Sequence, residues 1–161
     1  MTLKPFKKTA ACLIAAAMMP LLFACSDTAT GKGDLMVNEI VSSNKRSLVD
    51  TALGTPDWIE LYNAGNAEMD LSGYGISDNM KDLHKFVLPK GTTLGAGEYL
   101  ILYAMSRTED MAADALVTDF GLSKSGDYIF VTDAYFGLVA QMDVPPLYTD
   151  VSYARKTDGT Y

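Results

Sequence analysis

The sequence has one histidine, His84, and two cysteines, Cys12 and Cys25, both near its start. A single histidine rules out a multi-histidine metal site within the chain. With both cysteines at or before position 25, no disulfide can staple a domain that follows them. Cations are also scarce. Of 161 residues, 13 are Lys or Arg and 20 are Asp or Glu. Three of the cations (Lys4, Lys7 and Lys8) fall within the first 24 residues, which hold no acid. Residues 25–161 therefore carry ten basic and twenty acidic side chains, a formal charge of −10. Nucleic-acid binding draws its affinity mainly from Lys and Arg on phosphates, so this balance argues against it. What is present is enough to fold: 48% of the residues are hydrophobic and 20% charged, and the length allows one ordinary domain.

The first segment has the three parts of an export signal. Met1–Lys8 is basic, Thr9–Leu22 is apolar apart from Thr9 and Pro20, and Leu22-Phe23-Ala24-Cys25 follows. The apolar stretch is short for a membrane-spanning helix, which needs roughly 20 residues. Leu22-Phe23-Ala24-Cys25 resembles the lipobox of bacterial lipoproteins. The resemblance implies cleavage before Cys25 and a diacylglycerol on its sulfur, with Cys12 leaving in the signal peptide. Residues 25–34 then read as the lipidated Cys followed by a small, polar, flexible tether. Two or more acyl chains anchor a protein stably at roughly 0.8 kcal/mol per buried CH₂. Ser26, not Asp, follows Cys25, so the usual lipoprotein sorting rule would not hold the protein at the inner membrane of a cell that has an outer one.

From Leu35 on, short apolar or alternating runs are separated by turn residues. The expected strands are Leu35–Val41, Trp58–Tyr62, Met69–Leu71, Tyr74–Ser77, Lys85–Leu88, Tyr99–Tyr103, Leu116–Phe120, Tyr128–Thr132, Leu138–Met142 and Val151–Ala154. Trp58–Tyr62 alternates, with Ile59 and Leu61 on one face and Trp58, Glu60 and Tyr62 on the other. Asn63-Ala64-Gly65-Asn66 is a turn rich in residues that tolerate positive φ. Gly73, Pro89-Lys90-Gly91, Gly95-Ala96-Gly97, Gly126-Asp127 and Asp133 to Gly137 mark other gaps. Ser42–Pro56 reads as a long loop. Ser106-Arg107-Thr108-Glu109 matches a helix capping box and leads into Met111-Ala112-Ala113-Asp114-Ala115, which predicts a helical turn within a connection. The pattern predicts an all-β sandwich or barrel. Its expected core is Val37, Ile40, Ile59, Leu61, Leu71, Ile76, Phe86, Leu88, Leu100, Leu102, Phe120, Leu122, Ile129, Val131 and Val139.

An ordered set of segments resembles the lamin-tail domain in its bacterial form. They are Val37-Asn38-Glu39-Ile40, Asp57-Trp58-Ile59-Glu60-Leu61-Tyr62-Asn63, Leu71-Ser72-Gly73-Tyr74 and Ser77-Asp78, then the stretch from Leu88 to Leu100, Leu122 to Asp127, and Asp150-Val151-Ser152-Tyr153. The set covers residues 35–161, and the resemblance implies an immunoglobulin-like β-sandwich. Two positions depart from the family pattern. Gly75 stands where a bulkier strand residue is usual, which predicts a loose or bulged strand. At the end, Arg155, Asp158-Gly159 and Tyr161 are present but the family's exit segment does not follow them. The expectation is therefore a domain truncated at its C-terminal end, or the front of a longer protein.

The chemistry-bearing residues are few. Glu39, Asp57, Glu60, Asp70 and Asp78 lie near strand ends or beside apolar residues, where converging loops could give Ca²⁺ the six to eight oxygens it needs. No Asp-x-Asp-x-Asp run supports that, and solvated faces and turn caps explain the same residues; the expectation is no metal and no cofactor. His84 with Ser123 or Ser125 is formally a base–nucleophile pair, but Ser123 to Asp127 reads as a turn and His84 opens a strand. An exposed Lys124 keeps its proton and cannot serve Ser123 as a base. Gly95-Ala96-Gly97 precedes a strand and is no phosphate loop. Tyr135-Phe136 sits at an expected hairpin tip, where it either folds back on the sandwich or meets a partner or glycan.

The sequence thus predicts a lipid-anchored, extracytoplasmic lipoprotein that displays a lamin-tail-like domain as a non-catalytic interaction or adhesion module. Its partners would be the bilayer, through acylated Cys25, and another protein or an envelope polymer, but not nucleic acid. The alternative is an accessory module whose hydrolase, nuclease or CotH-type kinase is encoded beyond Tyr161. Bacterial domains of this kind accompany such enzymes.

Overall fold

The computed structural model describes residues 34–112, 114–156 and 160–161. The expected signal helix, Cys25 and nearly all of the tether lie outside them, as does Asp158-Gly159.

Among the described residues ten strands form in chain order: β1 (Leu35–Val41), β2 (Asp57–Asn63), β3 (Met69–Asp70), β4 (Gly75–Ser77), β5 (Phe86–Val87), β6 (Thr93–Leu94), β7 (Tyr99–Ala104), β8 (Asp127–Thr132), β9 (Leu138–Val144) and β10 (Tyr153–Ala154). One antiparallel sheet has the order β10-β1-β2-β7 and the other β5-β4-β8-β9, with β3 and β6 as a short separate pair. Two sheets on one apolar core make an immunoglobulin-like β-sandwich.

Alternation places the core. Ile59 and Leu61 of β2 are fully buried, as are Ile129 and Val131 of β8. All the expected core residues belong to the apolar interior, although Leu100, Leu122 and Val139 are only partly buried at its margin. Leu35, Met69, Leu94, Met142 and Val144 complete it.

β1 shows how one extra residue resets a strand. Val37 pairs with Leu61 and Glu39 with Glu60, so Asn38 has no partner opposite it. Without that bulge Val37 and Ile40, three apart, would face opposite sides; with it both enter the core. The Asn38 carbonyl accepts the Arg155 amide at 2.7 Å, and its side-chain amide donates to Glu60 Oε1 at 2.7 Å. The C-terminal residues close over the same strand. Tyr161 donates its hydroxyl to the Val37 carbonyl at 3.2 Å and stacks on Tyr153 at 5.3 Å.

Val41 and Trp58 pair across β1 and β2 on the outward side, yet both are buried. The long loop of residues 42–56 accounts for this. Buried Asn44 ties it, donating to the carbonyls of Leu48 and Pro56 and accepting from Ser47, while Asp57 accepts the Asn44 amide at 2.8 Å. Asp50 accepts the Tyr103 hydroxyl from β7. The loop is therefore folded back on the sheet as a fastened flap.

Several local expectations are corrected. Leu116–Phe120 is not a strand: Tyr103 and Val117 make one isolated parallel bridge. Beside that bridge the Leu116 carbonyl accepts the Tyr103 amide, but the next ones go to side chains, Val117 to Arg107 and Phe120 to Thr118. Among the described residues no helix forms around Ser106–Ala115; two tight turns occur, and the Arg107 guanidinium donates to the Ala112 and Ala115 carbonyls, Ala112 also accepting the Ala115 amide of its own turn. None of Asn63 to Asn66 takes a positive φ. The buried Asn63 side chain holds that turn, donating to Ala67 and Leu94 and accepting from Gly65. Gly75 is neither loose nor bulged, pairing regularly with Val87 and Thr132.

Candidate functional site

The β8–β9 hairpin tip carries the two aromatics singled out above. Asp133 organises it. Its carbonyl accepts the Phe136 amide at 3.0 Å, its amide donates to the Gly137 carbonyl at 2.8 Å, and its carboxylate accepts the amides of Tyr135 and Gly137. This is a turn followed by one left-handed residue, a position that favours glycine. Phe136 occupies it, with φ +65°. An L-residue there costs roughly 1–2 kcal/mol.

The ring does not return to the core. Phe136 is 61% exposed and Tyr135 91% exposed. Phe136 stacks instead on His84, with ring centroids 3.8 Å apart and planes 14° from parallel. His84 Nε2 lies 3.1 Å from the Asp133 carbonyl oxygen. Gly75 makes room for this arrangement: a Cβ there would lie 2.3 Å from His84 Cδ2 and 2.6 Å from both the Leu83 carbonyl and Thr132 Oγ1. Val87 and Leu138, both half exposed, occupy the same row across the sheet. The result is an apolar band at one end of the sandwich, set on a rigid base.

The sequence did not give His84 and Gly75 this role. In the sequence the lone histidine reads only as a base, and the glycine as a weak point. The visible signal was their rarity: one histidine in the chain, and a glycine inside an otherwise bulky strand.

The acidic residues do not assemble. Glu39 and Glu60 sit opposite one another across β1 and β2. Burial pushes the Glu60 carboxyl up, the Asn38 hydrogen bond opposes this, and the Glu39 charge adds to the rise. Asp57 lies three residues along β2, hence on the other face, and is also pushed up by burial against the pull of the Asn44 amide. Asp70 caps a turn through the Ser72 amide, and Asp78 pairs with Lys85 at 2.8 Å. Among the described residues no three His, Cys, Asp or Glu side chains converge as a metal site would require. His84 lies by the turn after β8, whereas Ser123 and Ser125 precede that strand and bond within their own turn. The pair that could be imagined from sequence is not brought together.

Residues 28–145 match the family model of the lamin tail domain. The chain belongs to the lamin tail domain family. The match begins within the expected tether and ends just after β9, so β10 and the residues packed on β1 lie past it. No curated protein matches the chain. Lamin tail domains are immunoglobulin-like modules, and the two-sheet sandwich described above has that architecture.

Proposed function

We propose that this lamin tail domain is a non-catalytic interaction module, displayed outside the cytoplasm on a lipid anchor at Cys25, and that the Tyr135–Phe136 tip is its contact surface. The observation that carries the reading is Phe136: a large apolar ring held at φ +65°, stacked on His84, and still 61% exposed. Backbone strain that persists on a rigid base points from structure to use. Tyrosine and other aromatics are typical interface anchors, and the hairpin presents two of them with no lysine or arginine among the residues of the turn.

The anchor reading rests on the basic, apolar and Leu-Phe-Ala-Cys order of the first 25 residues. The expected partner is another protein or an envelope polymer. The excess of acids disfavours nucleic acid.

Photo-crosslinking in the source cell tests the contact. A photoreactive phenylalanine analogue replaces Tyr135 in the full chain, and a second chain carries it at Tyr99, an exposed tyrosine on β7. Adducts from position 135 and not from position 99 are expected, and they should vanish when Phe136→Gly is added. That substitution removes the left-handed strain and loses the ring stack, so stability should stay within about 1 kcal/mol of wild type. Equal labelling from both positions, or adducts that survive the substitution, would remove the tip from the proposal.

A further inference from the structure

The opposite end of the sandwich holds a hollow of about 560 Å³ between residues 50–53 on one side and residues 105–112 and 115–117 on the other. Ala52 and Leu53 line it from one loop, and Met105, Met111, Ala115 and Val117 from the other. Its size is that of a ligand site, roughly 300–1,000 Å³.

Both walls are built in advance. The Arg107 guanidinium donates to the carbonyls of Ala112, Ala115 and Val117 at 2.7–3.0 Å, drawing the second loop into a closed arc. Tyr103 fastens both loops: its backbone bonds Leu116 and Thr118, and its hydroxyl donates to Asp50.

The polar part of the lining is Asp50, Asp110 and Thr108. The Asp50 carboxylate accepts the amides of Leu53 and Ala52, which hold it below the usual carboxylate range; the Thr108 hydroxyl does the same for Asp110. Both are therefore charged at neutral pH. Among the described residues no lysine or arginine lines the hollow, and the Arg107 head faces backbone carbonyls.

We propose that this hollow docks a cationic, amphipathic segment of a partner protein, its apolar side chains against the two methionines and its lysine or arginine against Asp50 and Asp110. An apolar lining bordered by two uncompensated carboxylates selects against anions and accepts a positive head on an apolar stem. Methionine adapts to differently shaped apolar side chains. The −10 formal charge of residues 25–161 favours encounter with a basic partner, and Asp50 and Asp110 put two of those charges at the hollow. The site lies at the other end of the strands from the aromatic tip and stands independently of it.

The test uses the full lipidated chain in detergent micelles and a fluorescent peptide of alternating lysine and leucine. An alternating glutamate–leucine peptide and spermidine serve as comparators. The Lys-Leu peptide should bind and shift the methyl resonances of Met105 and Met111 but not that of Met142, which lies in the core. D50N/D110N should weaken binding about tenfold or more. Ala52→Trp, which leaves both carboxylates in place, should also abolish binding by filling the hollow. The charge-matched pair D82N/D143N should leave it within about twofold. Binding unchanged by D50N/D110N or by Ala52→Trp, equal affinity for the Glu-Leu peptide or for spermidine, or unmoved Met105 and Met111 signals would overturn the proposal.

Discussion

Gly75 lies so close under the His84 ring that a Cβ there would sit 2.3 Å from His84 Cδ2. A glycine in a strand reads as a weakness, because one chain cannot reveal what approaches it from elsewhere. Here the approaching group is His84, and the glycine is a fitted surface. Gly75→Ala should destabilise the domain by about 1–3 kcal/mol through overpacking, measured by urea denaturation, and a wild-type midpoint would show that the close approach relaxes easily. Glu60 carries a pH signature. Its folded pKa is raised, chiefly by burial. The native state therefore gains from protonated Glu60 at low pH and loses that gain as pH rises from the ordinary glutamate range through the raised value. Glu60→Gln should raise stability by about 0.5 kcal/mol at neutral pH and leave it nearly unchanged in acid; a gain present equally at both pH values would assign the effect to packing.

Most elements were legible because alternation and turn residues act locally. The expected and observed ends of β1 coincide, and those of β2, β7, β8 and β9 agree to within two residues. Two-residue β6 was missed because Thr93-Leu94 is too short to show a period. Leu116–Phe120 has a strand's pattern, but its backbone meets only Tyr103 and its Val117 carbonyl is taken by the Arg107 side chain, which no apolar pattern records. The same arginine cancels the capping box. Bulges are hidden for a related reason: Asn38 becomes the extra residue only once β2 is paired beside it. The long loop is legible as a gap between strands, but its attachment through Asn44 depends on contacts that no local pattern carries. Asn44→Ala should cost about 2 kcal/mol by leaving the Pro56 and Leu48 carbonyls unpaired. Hydrogen exchange should accelerate across residues 44–56 and not in β8 or β9. Uniform acceleration would show that the flap and the sandwich open as one unit.

At the scale of the whole molecule, fold class was readable from the strand pattern, and the family match and the two-sheet sandwich agree with it. Site geometry was not, since the tip depends on a histidine about fifty residues away in sequence and the hollow on two loops joined by Tyr103. The lipid anchor is a separate physical claim, carried by the first 25 residues alone. A single acyl chain binds a membrane only marginally, so the proposed display would require more than one chain at Cys25. Cys25→Ala should therefore move the protein out of the membrane fraction with its fold intact. Intact-mass analysis of the protein extracted from membranes tests the central claim most directly. The expected result is a chain beginning at Cys25 with acyl mass on that residue; an uncleaved N-terminus, or a mature chain without lipid and free in the aqueous fraction, would contradict it.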